Sequence, residues 1–182
     1  MRDWTHCPRC AAALVRSVPA GDDEERLWCP ACGLVLYENP APTASAIVAD
    51  RDGRIMLVRR GIEPFRGMWD LPGGFIRPGE DGKAAVRREL EEETGLDILV
   101  GVAAEVVPDI YGADDAPTLN LFYLARIISG SPKPGSDASE IAWFGPDDLP
   151  PPSEIAFACV REVLARWRRA RAQEGSGIVN EP

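Results

Sequence analysis

The feature that most restricts the fold of this chain is a carboxylate-rich stretch between Gly74 and Leu96. It opens on Gly74 and Gly79, which favour a loop, and continues through residues 82–94 without proline and with good helix formers. Gly95 then supplies a natural C-terminal stop. The pattern therefore predicts a loop followed by a helix over residues 82–94.

The glutamates of this helix are expected to share one face. At about 100° per residue, Glu89, Glu92 and Glu93 lie together, whereas Glu91 points away. Three carboxylates on one face repel each other, and the helix dipole disfavours negative charge near the C-terminus. A bound cation would relieve both effects, and oxygen-only ligands favour Mg²⁺ or Mn²⁺, ions that often act on phosphates. For the acidic run alone, a solvated helix face is the alternative.

The stretch resembles the Nudix box, whose pattern is Gly-x5-Glu-x7-Arg-Glu-(apolar)-x-Glu-Glu-x-Gly-(apolar). Every specified position is met, and the matching residues are Gly74, Glu80, Arg88, Glu89, Leu90, Glu92, Glu93, Gly95 and Leu96. The resemblance implies an α/β protein with a Nudix α/β/α sandwich and a mixed sheet. It also implies a metal-dependent hydrolase of nucleoside diphosphates linked to another group.

The resemblance further implies roles for individual residues. Glu89, Glu92 and Glu93 would bind the catalytic Mg²⁺ or Mn²⁺, with the Gly74 carbonyl as a further ligand. Arg88 would orient a glutamate through a salt bridge. A second glutamate of the box, at position 80, would brace the loop against the helix.

Hydrolysis by such a site needs no serine or cysteine nucleophile, because phosphoryl transfer depends on positioning and charge stabilisation. The metal ions would neutralise the pyrophosphate and acidify a water that attacks phosphorus, which leaves two monophosphates. His6 is the only histidine, so the general base would be a carboxylate or the metal-bound water alone. The candidates are Glu92, Glu93 and Glu140, and for Glu140 a surface position at a strand edge is the alternative.

Two C-x2-C pairs near the N-terminus form the second signal. The first motif contains Cys7 and Cys10, the second contains Cys29 and Cys32, and residues 11–28 separate them. This spacing predicts a structural four-cysteine zinc site closed around a small hairpin. Two disulfides in a secreted protein are the alternative, but no signal-peptide pattern precedes Cys7. Cys159, in a predicted helix, is expected to be a buried apolar residue.

The remaining sequence predicts a zinc ribbon over residues 1–37, a hydrolase domain over 38–172 and a disordered tail over 173–182. A loop is expected over 108–117 and a helix from about 153 to 171. The predicted strands span residues 43–49, 55–60, 98–107, 119–128 and 141–144.

The order of zinc ribbon and hydrolase domain over residues 6–168 is similar to a Nudix subgroup that includes NADH, ADP-ribose and FAD pyrophosphatases. The Ser-Gln-Pro-Trp motif of the NADH group is absent at the corresponding residues 107–112. We therefore expect ADP-ribose or FAD as substrate. Tyr111, Phe65 and Arg59 are the predicted substrate contacts, although each aromatic residue could equally belong to the core.

Composition limits the partners. A net charge of −9 and a pI near 4.7 make nucleic acid an unlikely ligand and a small nucleotide the expected one. No apolar run is long enough to cross a membrane, so we expect a cytoplasmic protein. Arginines 161–171 predict a solvated basic face, with an anion site or homodimer contact as alternatives. A nucleotide sensor and a capped-RNA hydrolase remain competing functions.

Overall fold

The computed structural model describes residues 4–112 and 115–175. They belong to two units, Met1–Pro40 and Ala41–Pro182. In this described part of the chain, no helix is long and apolar enough to cross a membrane.

The N-terminal unit holds a three-stranded sheet. Its strands are β1 (Val15–Ser17), β2 (Arg26–Trp28) and β3 (Val35–Leu36), in the order β1-β2-β3. β1 and β2 are antiparallel, with Val15 opposite Trp28. The indole nitrogen of Trp28 donates to Ser17 Oγ at 2.9 Å, which adds a side-chain tie across the pair. The hairpin predicted between the two cysteine pairs is thus confirmed.

In its described residues, the second unit contains seven strands and two long helices. Its strands are β4 (Ala41–Val48), β5 (Ile55–Arg60), β6 (Trp69–Asp70), β7 (Gly73–Phe75), β8 (Asp97–Tyr111), β9 (Ala116–Ser129) and β10 (Ala138–Phe144). Its helices are α1 (Gly82–Thr94) and α2 (Ala158–Gly175), with a 3₁₀ turn at Pro152–Glu154. One sheet has the order β7-β4-β9-β8 and the other β10-β5-β6. β4 runs parallel to β9, and the other pairs are antiparallel, so the larger sheet is mixed.

The helices cover opposite faces of these sheets. Along β4, Ala46 and Val48 pack in one core cluster with Val86 and Leu90 of α1. Ile47, between them, packs in a second cluster with residues of α2. Alternate residues of a strand point to opposite faces, so one strand serves both cores. This is the α/β/α sandwich that the resemblance implied.

The loop predicted over residues 108–117 is wrong. β8 continues to Tyr111 and β9 begins at Ala116, with Pro108 opposite Leu119 in the antiparallel register. Proline cannot donate to a strand ladder, but β8 is the edge strand of its sheet, where a missing donor is tolerated.

The predicted start of the last helix is also wrong. Ile155 is extended, with φ −100° and ψ 125°, and the Ala156 amide donates to the Trp69 carbonyl at 2.9 Å. This bond ties residues 155–156 beside β6, so α2 begins only at Ala158. The helix extends to Gly175, three residues into the predicted tail, whose residues 176–182 lie outside the described part.

Candidate active site

α1 carries the glutamates, and its limits are set by two local features. At its start, Asp81 Oδ1 accepts from the Ala84 amide at 2.8 Å, an N-cap that satisfies a free helix donor. At its end, Gly95 adopts φ 67°, a left-handed conformation that glycine reaches without strain, and its amide donates to the Glu91 carbonyl. The helix predicted over residues 82–94 is confirmed.

The backbone of β7 lies against the C-terminal half of α1. The Gly73 amide donates to Glu93 Oε2 at 3.0 Å. A Cβ placed on Gly74 would lie 2.6 Å from Glu89 Oε1. Only glycine therefore leaves room for the Glu89 carboxylate beside this strand.

Arg88 organises the loop that joins β7 to α1. Its Nε and Nη2 donate to the two oxygens of Glu80, both at 2.9 Å, in a bidentate pair. Nη2 also donates to the Phe75 carbonyl at 3.1 Å, and Nη1 donates to Glu89 Oε1 at 2.5 Å. The hydrogen bonds from the Arg88 side chain, and after them one from the Arg77 amide, lower the pKa of Glu80 to about 2. One guanidinium thus fixes both the loop and a box glutamate.

The three box glutamates differ in their surroundings. Glu93 is buried, Glu89 is partly buried, and Glu92 is exposed, 3.5 Å from Arg77 Nη2. Their oxygens do not converge within 4.8 Å, a spacing that, among the described residues, only the four ribbon cysteines meet. The donors are nevertheless all oxygens, and they lie beside the glycines of β7. The residues fit a hard divalent cation such as Mg²⁺ or Mn²⁺.

Asp70 and Asp137 are two more carboxylates near Glu93, and no sequence motif pointed to either of them. Asp70 is buried in β6 and paired with Arg60 at 3.2 Å, and burial outweighs this pairing and raises the pKa of Asp70 to about 7. Burial, together with the charges of Asp137, Asp70 and Glu89, raises the pKa of Glu93 well above its usual value. The site therefore concentrates negative charge that a cation would stabilise.

A cavity of about 380 Å³ opens beside the box. Gly73, Gly74 and Glu89 line one part of it. Its floor contains a buried polar group of three residues on β4 and β9. The Thr43 hydroxyl donates to Asn120 Oδ1 at 2.6 Å, and Asn120 Nδ2 donates to Thr118 Oγ1 at 3.1 Å.

Aromatic rings form another wall of the same cavity, here called the aromatic wall: Phe75, Tyr111 and Phe157. Phe75 meets Tyr111 edge to face, with centroids 5.1 Å apart. Tyr111 stacks on Phe157 at 5.6 Å, with 15° between the ring planes. Sequence patterns pointed to Tyr111 alone among these three, because the other two come from separate segments.

The predicted substrate contacts are distributed unevenly. Tyr111 lines the cavity, whereas Phe65 reaches it only through an edge contact with Phe157. Arg59 lies outside the lining, with its guanidinium 4.5 Å from the centre of the Trp69 ring and its Nε 2.9 Å from Glu140 Oε2. Glu140 therefore forms an ion pair with Arg59 and does not line the cavity. Asp137, from the same region of the chain, lines the cavity instead.

The four ribbon cysteines meet at a second site. Their Sγ atoms lie within 4.8 Å of one another, with Cys7 to Cys32 at 3.6 Å and Cys10 to Cys29 at 3.5 Å. These distances exceed the roughly 2.05 Å of a disulfide, so that alternative is not supported. Burial opposes ionisation of Cys7, but amide hydrogen bonds, chiefly from Arg9, lower the pKa of Cys7 to about 7. Four clustered thiols match the donor set of structural zinc.

Comparison with known protein families decides the family. A family model described as the NUDIX domain matches residues 39–166. A second, described as Nudix N-terminal, matches residues 5–38. The chain belongs to the Nudix hydrolase family. Membership makes it a pyrophosphohydrolase with an N-terminal ribbon, as the resemblance implied.

Individual relatives agree with this assignment. An ADP-ribose pyrophosphatase of Methanocaldococcus jannaschii is 36% identical over 73% of this chain and 78% of its own length. The NAD-capped RNA hydrolase NudC of Pseudomonas aeruginosa is 32% identical over 94% of this chain but only 60% of its own length. A crystal structure of a NUDIX hydrolase from Nitrosomonas europaea matches with a TM-score of 0.74 at 25% identity, covering 93% of each chain.

Proposed function

We propose that this Nudix enzyme cleaves the pyrophosphate bond of a nucleoside diphosphate linked to another group, with ADP-ribose or FAD as the favoured substrate. The observation that carries the proposal is the joining of two features in one cavity. Glu89 and the glycines of β7 line one part of it, and the aromatic wall lines another. Such a cavity can hold a pyrophosphate and a planar ring together. The similarity to an ADP-ribose pyrophosphatase supports this choice.

Glu89, Glu92 and Glu93, with the Gly74 carbonyl, would hold Mg²⁺ or Mn²⁺. When bound, these ions neutralise the pyrophosphate and acidify the attacking water. Arg88 keeps Glu89 in place through its short hydrogen bond.

The carboxylate that accepts a proton is a separate proposal. Glu93 is suited by burial, which raises its pKa. Glu140 remains a candidate from the sequence, but its ion pair with Arg59 occupies it. Asp137 lines the cavity and is better placed to add a carboxylate.

For the ribbon we propose one structural Zn²⁺ held by the four cysteines. Four thiolates complete a tetrahedral site and leave no position for a reacting water. The ion would therefore stabilise the ribbon and take no part in hydrolysis.

Hydrolysis of NAD-capped RNA is a second candidate function, favoured by the similarity to NudC over 94% of this chain. Because the chain carries a net charge of −9, which disfavours contact with a phosphate backbone, we rank it below a small-molecule substrate.

The test is a panel of ADP-ribose, FAD, NADH and nucleoside triphosphates, each assayed with Mg²⁺ and with Mn²⁺. We expect no turnover without a divalent cation, and the highest kcat/KM for ADP-ribose or FAD, because this ratio defines specificity. If NADH or a triphosphate leads by about tenfold, the substrate proposal is wrong while the hydrolase assignment stands.

A further inference from the structure

The start of α2 is held to the end of β8 by a single side chain. Asp109 Oδ2 accepts from the Cys159 amide at 2.7 Å, and Oδ1 accepts from the neighbouring Ile110 amide at 2.8 Å. Cys159 is the second residue of α2, where backbone amides have no partner inside the helix. Asp109 thus caps α2 from a different element. We call this contact the Asp109 clasp.

Phe157 stands immediately before the clasped helix and is enclosed by its neighbours. Tyr111 stacks on it, and the Arg60 guanidinium carbon lies 5.1 Å from its ring centre. Phe65 adds an edge contact at 5.2 Å. With so many contacts already made, Phe157 is better suited to hold other groups in place than to bind a ligand ring itself.

The groups that Phe157 holds are those that face the substrate. Tyr111 continues the wall to Phe75, which is 42% exposed. Arg60 lines the cavity and pairs with the buried Asp70. A shift of Phe157 would therefore disturb both the aromatic wall and the Arg60 guanidinium.

We propose that Asp109 and Phe157 are positioning residues for substrate specificity. The clasp fixes the first turn of α2 and with it Phe157, which in turn fixes the Tyr111 ring against which the base of the substrate rests. The aromatic wall then recognises the nucleoside monophosphate half of the substrate and not the sugar phosphate half. This inference rests on the proposed function, since it assumes that the cavity takes a nucleotide.

The test measures binding of the two products of ADP-ribose cleavage, AMP and ribose 5-phosphate, to the full-length protein by calorimetry. Only AMP carries a base. For Asp109→Ala, which removes both acceptor oxygens, and for Phe157→Leu, we expect the Kd of AMP to rise about three- to tenfold, the range expected when an aromatic contact is lost. The Kd of ribose 5-phosphate should not change. Phe157→Tyr should bind AMP as the wild type does, because it keeps the aromatic ring.

The matched control is Glu105→Gln. Glu105 also links β8 to α2, through Arg166 at 2.6 Å, but it does not line the cavity. We expect wild-type Kd values for both ligands in this variant. In turnover of ADP-ribose, the Asp109 and Phe157 variants should raise KM and leave kcat nearly unchanged, a split that general loss of structure would not produce.

Several results would overturn the inference: wild-type protein that does not bind AMP, equal loss of both ligands in the variants, or unchanged AMP binding in Phe157→Leu. If Asp109→Ala does not fold, the Phe157→Leu and Phe157→Tyr pair decides alone. Failure of the proposed function looks different. In that case the wild type binds AMP with the expected variant pattern but cleaves no member of the substrate panel.

Discussion

At the scale of single residues, Arg88 is the centre of the site. Its guanidinium reaches Glu80, Glu89 and the Phe75 carbonyl at once. A planar fork with five donors can make these contacts together, whereas the single ammonium of lysine cannot reproduce the geometry. The helix, the loop and the strand before it are therefore joined through one side chain.

The glutamates of α1 yield the first prediction. Changing Glu93 or Glu92 to Gln should lower kcat/KM by about two orders of magnitude or more, because a catalytic cation is worth several kcal/mol. The fold should persist, since a glutamine oxygen at position 93 can still accept from the Gly73 amide. Rates with saturating Mg²⁺ measure the effect.

The control for this prediction is Glu91→Gln, which neutralises an exposed glutamate on the other face of the same helix. It should keep wild-type activity. Full activity in the Glu92 and Glu93 variants would refute the ligand assignment.

Glu80 gives a pH-dependent prediction. Its pKa is about 2 in the folded protein and about 4.3 in an unfolded chain. Because the folded value is lower, ionised Glu80 favours the folded state. This contribution is complete above about pH 4.3 and is lost as the pH falls to about 2. The variant Glu80→Gln lacks it at every pH.

Urea unfolding of wild type and Glu80→Gln without added metal measures the effect. The difference in free energy of unfolding should be constant near neutral pH and shrink below about pH 4.3. A difference that stays the same down to about pH 3 would count against the Arg88–Glu80 pair as its source.

At the scale of elements, the ribbon is too small to be stable through apolar burial alone. Its three strands contain two or three residues each. Domains of this size commonly need a metal or disulfides to fold. The buried Cys7 and Cys29 belong to the four-cysteine cluster, which joins the two turns of the unit.

We therefore predict about one equivalent of zinc per chain in protein purified without added metal, measured by elemental analysis. Cys29→Ser should lower the zinc content sharply and disorder the ribbon, with little effect on the chemistry at the box. Cys159→Ser, which changes the fifth cysteine, should retain zinc. Iron in place of zinc, or zinc retained in full by Cys29→Ser, would contradict this account.

At the scale of the whole molecule, the net charge limits which partners the protein can bind. The chain carries 29 acidic and 20 basic side chains, which gives its net charge of −9. Nucleic-acid affinity depends on cations that neutralise phosphates, so this surface does not favour RNA. Basic residues do gather on α2, but Arg166 is already paired with Glu105 and Glu162.

The prediction concerns capped RNA. The enzyme should cleave the NAD cap of an RNA no more efficiently than free NAD, and added salt should affect both rates alike. Parallel assays at low and high salt, with filter binding of uncapped RNA, measure this. A strong preference for the capped RNA that disappears at high salt would favour the second candidate function.

Local features could be predicted from the sequence, because they depend on neighbours along the chain. Periodicity and a terminal glycine located α1, and cysteine spacing located the ribbon. Prediction failed where distant segments decide. The strand that runs through Pro108 depends on β9 and on the free edge of the sheet. The late start of α2 depends on a bond from Ala156 to Trp69.

The composition of the cavity could not be predicted in this way, because it depends on long-range packing. Phe75, Tyr111 and Phe157 are far apart in sequence, so no local pattern joins them. Asp70 and Asp137 become notable only because folding brings their charges near Glu93. Helical periodicity placed three glutamates on one face without any partner. The residues that lie opposite these glutamates are brought there by the packing of β7, α1 and α2 around the cavity. Contacts between distant segments leave no periodic pattern in the sequence, so these residues could not be predicted from it.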